Sequence, residues 1–141
     1  MNGFLGTLRF QDPNNWDICK SSKLWGIPAG QHAELAVRSV RPGDVLFVWR
    51  GGGKRNKAGL LARAKISGPV RLAKNPPWPD PDRYTHVLPI EVTDELAVPI
   101  GDKFPGNQKG ILFQVQNMWL QWGFCELPPD VVERMEAAFH R

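Results

Sequence analysis

Apolar residues in this chain gather in short, dense runs more often than at helical spacing. Phe4 to Phe10 predicts a first strand. Val45-Leu46-Phe47-Val48-Trp49 is apolar without a break, which predicts a central strand buried on both faces. Gly59 to Ser67 predicts the strand that follows, with Leu61, Ala62, Ala64 and Ile66 offered to the core. Gly51-Gly52-Gly53-Lys54-Arg55-Asn56 between them has hairpin-turn chemistry. Thr85 to Val92 and Ile111 to Val115 predict two further strands. Helical spacing shows in two places. Gln31 to Val40 can set Leu35, Ala36 and Val40 on one face, and Arg41-Pro42-Gly43-Asp44 stops it. Pro129 to His140 repeats Val132, Met135, Glu136 and Phe139, with Asp130 near its start. After the Asp12-Pro13-Asn14-Asn15 turn, Trp16 to Lys20 enters a short helix or loop. Leu24-Trp25-Gly26-Ile27-Pro28 reads as a break between elements. Gly68 to Arg83 is a proline-stiffened loop, longer than an ordinary connection, and long ordered loops often carry function. The order predicts one α+β domain over residues 1–141, with a small curved or barrel-like sheet and flanking helices.

Composition agrees with that reading and adds a charge pattern. The chain has 141 residues, long enough to bury a core. Its 13 Pro and 14 Gly favour strands and loops over a helical bundle. The net charge of +4 is modest, so the placement of charge matters more than its total. Between Asp44 and Asp80 there is no acidic residue, while Arg50, Lys54, Arg55, Lys57, Arg63, Lys65, Arg71 and Lys74 all fall there. That window contains Trp49 and closes on Asn75-Pro76-Pro77-Trp78-Pro79. Basic charge attracts phosphate without reading sequence, and a Trp on a stiff loop offers a flat face for a base. Arg50, Lys54, Arg55, Lys57 and Lys74 are the expected phosphate contacts, with Arg63 and Lys65 as strand surface. The plainer alternative is a solvated basic face with one loop Trp. No apolar run reaches membrane-spanning length. Met1-Asn2-Gly3-Phe4 has no charged region followed by an apolar stretch, so a cytoplasmic location is expected. Cys19 and Cys125 make neither a disulfide framework nor a zinc site, and both are expected to be buried free thiols.

No motif in the chain completes a catalytic constellation. Gly51-Gly52-Gly53-Lys54 fails as a phosphate loop: Arg55 stands where a hydroxyl is needed, and a strand follows instead of a helix. Asp80 and Glu91 faintly resemble a nuclease metal pair, but Thr93 stands where a Lys is needed to stabilise charge at phosphorus. A turn residue and a strand residue are the simpler account of both. His32, His86 and His140 lie far apart without ligand-spaced partners. No Ser sits in a nucleophile elbow. The expectation is a binding module with no catalytic residues, metal or cofactor. Among the tryptophans, Trp119 and Trp122 sit in a dense apolar segment and are expected to be structural. Trp49 ends a buried strand and reads either way. Trp25 and Trp78 stand at chain breaks with polar residues nearby. Brought together by the fold, their rings would sandwich a flat ligand such as a base flipped out of a duplex.

Asn15-Trp16-x-x-Cys19, then Leu24-Trp25-Gly26-Ile27, a helix, and Pro42-Gly43-Asp44-Val45-Leu46-Phe47-Val48-Trp49 resemble the EVE domain, a PUA-like family close to YTH domains. Ala58-Gly59-Leu60-Leu61-Ala62-Arg63-Ala64 and Trp78-Pro79-Asp80-Pro81-Asp82-Arg83-Tyr84 extend the likeness, which runs from about Phe4 to Phe124. The resemblance implies an open barrel with flanking helices and an aromatic cage for a modified base. YTH domains read N6-methyladenine in RNA, and prokaryotic EVE-like domains include readers of 5-methylcytosine and its derivatives in DNA, often fused to restriction nucleases. By motif position Trp25 and Trp78 match the cage, Trp16, Asp17 and Trp49 are expected in the same modified-base pocket, and Asn15 matches a residue that hydrogen-bonds the base edge. Trp16-Asp17 after that Asn departs from YTH. Asp17 would accept from cytosine N4, which favours cytosine over adenine. The expected partner is methylated DNA, with modified RNA as the alternative, and any restriction nuclease is expected to be a separate protein.

Overall fold

A computed structural model of the chain describes residues 2–8, 14–51, 59–100 and 123–139. In chain order the elements are β1 (Gly3–Leu8), α1 (Asn15–Ser22), β2 (Leu24–Pro28), α2 (Gln31–Ser39), β3 (Val45–Arg50), β4 (Gly59–Ile66), β5 (Arg71–Leu72), a 3-10 turn at Pro81–Arg83, β6 (Tyr84–Ile100), β7 (Phe124–Leu127) and α3 (Pro129–Phe139). The continuous apolar run becomes β3, paired in parallel with β1 and antiparallel with β4. Its pleat explains the run. Leu46 and Val48 point into the principal core, while Val45, Phe47 and Trp49 point the other way, under Val131, Val132 and Met135 of α3. A strand covered on both faces has no position left for a polar residue.

The sheet runs β2-β6-β4-β3-β1-β7, with β5 beside β6. The 17-residue β6 changes partners along its length. Its first residues lie between β2 and β5, pairing Leu88 with Trp25 and His86 with Leu72. From Ile90 onward it pairs with β4, and two register shifts bend the pair. The curl is tight enough to bring β2 back over β1. An ideal Cβ on Gly6 of β1 would stand 2.4 Å from Cζ2 of Trp25 on β2. The indole thus bridges the open side of a curled half-barrel, as the predicted α+β curved sheet requires.

Several local readings change. Leu24–Pro28 is a strand, not a break: Trp25, Gly26 and Ile27 are buried, and all pair with β6. The strand expected over Thr85 to Val92 runs on to Ile100, because the polar residues after Val92 alternate along a half-exposed strand. On α2 the buried stripe is Ala33, Ala36 and Val40, and Leu35 is exposed, being one residue and about 100° off that stripe. The Arg41 to Asp44 stop is built as a turn: Gly43 has a φ of 94°, and buried Asp44 accepts the backbone N–H groups of Asn2 and Arg41 at 3.0 and 2.9 Å. Arg63 leaves the basic face and pairs with Glu136 of α3 at 2.8 Å. Cys19 and Cys125 are buried and free, and burial pushes both thiols up to about 12. No described helix is long and apolar enough to cross a membrane. The strand expected at Ile111 to Val115, Trp119 and Trp122 lie outside the described residues.

Candidate functional site

One cleft opens where β1, α1, β2 and the loop before β6 converge. Its lining includes Thr7 and Leu8 of β1, Asn15 and Cys19 of α1, Trp25, Gly26 and Pro28 of β2, and Trp78, Arg83 and Tyr84. Asn15, Trp25 and Trp78, predicted from three separate stretches, therefore share one space. α1 explains how the Asn15-Trp16-x-x-Cys19 motif works. Asn15 and Cys19 are four residues apart, so they share a helix face. Asn15 Nδ2 donates to the Tyr84 hydroxyl at 3.2 Å. The Cys19 thiol takes a hydrogen bond from the Trp78 side chain, which partly offsets the upward push of burial. Two adjacent turns of α1 thus hold the two aromatic residues of the loop.

Those aromatics pack over a glycine. The Trp78 and Tyr84 ring centroids are 4.8 Å apart with planes 46° from parallel. A Cβ on Gly26 would stand 2.6 Å from Tyr84 Cδ1 and 3.0 Å from Trp78 Cζ3. The bare backbone of β2 is therefore the floor on which both rings rest, as Gly6 is for Trp25. The Arg83 guanidinium carbon lies 5.7 Å from the Tyr84 ring, placing positive charge at the cleft. The Trp25 Nε1 is buried without a hydrogen-bond partner among the described residues. The empty space is about 380 Å3 counted out to solvent, of which the centre of a water molecule reaches about 30 Å3. A flat heteroaromatic ring enters only if Trp78, on the long loop, and Tyr84, at the start of β6, part.

Other predicted residues lie elsewhere. Trp16, one residue round the helix from Asn15, donates its Nε1 proton to the Glu95 carboxylate of β6. Lys20 Nζ reaches the same carboxylate at 3.0 Å. Burial works against ionised Glu95, but the Trp16 hydrogen bond and Lys20 outweigh it and hold the carboxyl below its usual value. Asp17 is 77% exposed and faces Lys20 at 3.6 Å, so it is not positioned to read a base in the cleft. Trp49 is buried on the opposite face of the sheet, under α3. Arg50 ends β3 half-buried, with its charge acting on Glu95. Lys74 is exposed on the long loop. Lys54, Arg55 and Lys57 lie outside the described residues. Asp80 precedes the 3-10 turn and Glu91 is exposed on β6, and no described group of three His, Cys, Asp or Glu could hold a metal ion. Sequence reasoning gave no role to Tyr84, Arg83, Gly6 or Gly26. The available signal was the chain's single Tyr, directly after the proline-rich loop, and the Gly that follows Trp25.

No family model and no curated protein matches the chain. Solved structures do share its architecture. A Pseudomonas putida protein superposes with a TM-score of 0.69 at 12% identity, over 96% of this chain and 98% of that one. Protein PSPTO5229 from Pseudomonas syringae gives 0.65 at 11% identity, over 96% and 97%. A hypothetical protein from Leishmania major gives 0.63 at 13% identity, over 100% and 98%. At such identities these matches show a shared fold and nothing finer.

Proposed function

We propose that the chain is a non-enzymatic reader of modified bases of the EVE type, taking a flipped 5-methylcytosine or derivative of it in DNA into the cleft of Trp25, Trp78 and Tyr84. The observation that carries the reading is the convergence of Asn15, Trp25 and Trp78 on one narrow aromatic space. Stacking on aromatic rings contributes about 1–3 kcal/mol per base, and flipping costs a few kcal/mol. A methyl group adds only about 0.8 kcal/mol per buried carbon, so discrimination requires a tight, dry site. A cleft that a ligand must wedge open against packed rings meets that requirement. Lys74 and Arg83 supply positive charge nearby, and Lys54, Arg55 and Lys57 extend it in the sequence. A cytoplasmic protein acting with a restriction nuclease fits this role.

A modified-RNA reader is the second reading, and one observation favours it. Asp17 was the argument for cytosine, and it faces Lys20 on the helix surface instead of the cleft. The Asn15 amide, able both to donate and to accept, suits adenine as well as cytosine. A single titration series separates the two. Fluorescence anisotropy with matched methylated and unmodified DNA duplexes, and with single-stranded RNA with and without N6-methyladenine, is expected to show tightest binding to methylated DNA. Equal affinity for methylated and unmodified forms in both series would sink the modified-base reading altogether.

A further inference from the structure

Tyr84 lines a second space. An open groove of about 800 Å3, counted out to solvent, is formed by Ala73, Asn75, Pro76, Pro81, Asp82 and Tyr84. Among the described residues Tyr84 is the one shared by the linings of groove and cleft. A base held in the cleft stays joined through its backbone to a neighbouring nucleotide, and the groove that shares Tyr84 adjoins the cleft. Resting on the modified-base reading above, we propose that this groove seats the nucleotide flanking the modified one and selects bases that carry an exocyclic amine: cytosine, adenine or guanine.

The chemistry of the walls carries the choice. Asp82 is exposed and presents a carboxylate, which accepts from an amine and repels a phosphate. The groove therefore suits a base edge more than the backbone. Pro76 and Pro81 give it rigid apolar sides. Asn75 holds a φ of 50°, a left-handed conformation that Asn tolerates well, and adds an amide to the lining. Exposed Lys74, between Ala73 and Asn75 in the chain, is placed to meet the connecting phosphate. Thymine and uracil carry no exocyclic amine, so their carbonyl oxygens opposite Asp82 set acceptor against acceptor and leave only the ring N3–H to donate.

The test uses the full chain and oligonucleotides with one fixed 5-methylcytosine, varying the base on each side through all four identities. Wild type is expected to bind the amine-bearing neighbours about tenfold more tightly than thymine on one side of the modified base. Asp82→Ala is expected to bring that ratio close to one. Asn75→Gly, which keeps the left-handed turn, is expected to lower it partially. If Asp82→Ala instead raises affinity for every oligonucleotide by the same factor, the carboxylate acts only through its charge and the proposal falls. A wild-type ratio near one on both sides overturns it too while leaving the modified-base reading intact. Failure of every oligonucleotide to bind, methylated or not, overturns both.

Discussion

Gly26→Ala places a methyl group where the structure has none, and the consequence can be worked out from distances. Its carbon would fall 2.6 and 2.8 Å from Cδ1 and Cε1 of Tyr84 and 3.0 Å from Cζ3 of Trp78. Non-bonded carbons rest at about 3.5–4.0 Å, so the rings must retreat by roughly 1 Å. Neither ring is the loose end of a flexible side chain: Trp78 is buried against Cys19, and Tyr84 is bonded to Asn15. Overpacking of this kind costs about 1–3 kcal/mol, and replacing Gly within a strand returns about 0.5–1 kcal/mol. A net loss of about 1–2 kcal/mol lowers the thermal midpoint by roughly 3–8 °C in a domain of this size. The effect on ligand is expected to be larger. Displaced rings forfeit stacking of about 1–3 kcal/mol, which is about five- to 150-fold in affinity for a methylated oligonucleotide. Thermal melts by circular dichroism and anisotropy titrations on the same preparation read both quantities. Gly6→Ala is the companion variant, since its methyl would meet Trp25 at 2.4 Å. If Gly26→Ala melts within a degree of wild type and binds with unchanged Kd, the rings do not rest on β2, and the cleft built from them is wrong.

Further outcomes follow from the contacts around the cleft. Glu95, held below its usual carboxyl value by Trp16 and Lys20 despite burial, contributes stability that is complete above its ordinary value of 4.5 and is lost as pH falls through the lower folded value. Glu95→Gln is expected to flatten the stability-against-pH curve in that acid range, and a curve parallel to wild type there would refute the contribution of the Trp16 and Lys20 contacts to Glu95. With both thiols pushed up to about 12, neither Cys19 nor Cys125 is expected to react with a thiol reagent at pH 8 in the native state. Trp78→Ala is expected to expose Cys19 alone, and labelling of both thiols at equal rates would show global unfolding instead. Arg63 and Glu136, each less than a fifth exposed, join β4 to α3, and a double-mutant cycle is expected to give about 1 kcal/mol of coupling with no change in oligonucleotide affinity.

The sheet was legible wherever burial imposed a pattern. The run at Val45 to Trp49 announced a strand covered on both sides, and the stripe at Val132, Met135 and Phe139 announced the helix that covers one of them. β2 was hidden because its Gly and Pro look like chain breaks, when the Gly is the seat of two aromatic rings from the next part of the chain. A surface made by the absence of a side chain leaves no apolar signal of its own. The site was half legible for a related reason: the Asn15–Tyr84 bond joins residues 69 apart, which no local pattern reports. Two placements, by contrast, followed from the periodicity already in hand. Residues adjacent on a helix point about 100° apart, so once Asn15 and Cys19 define the cleft face of α1, Trp16 and Asp17 turn away from it. On a strand of period two, Leu46 and Val48 facing inward send Trp49 to the other face. Motif proximity grouped these residues with the cage, and element geometry separates them. The separation bears on function. With Asp17 on the helix surface, no carboxylate stands among the described residues lining the cleft, and under the proposed reading base identity there falls to the Asn15 amide and the fit between rings. The groove that shares Tyr84 with the cleft carries Asp82, proposed to meet a neighbour of the modified base and not the base itself.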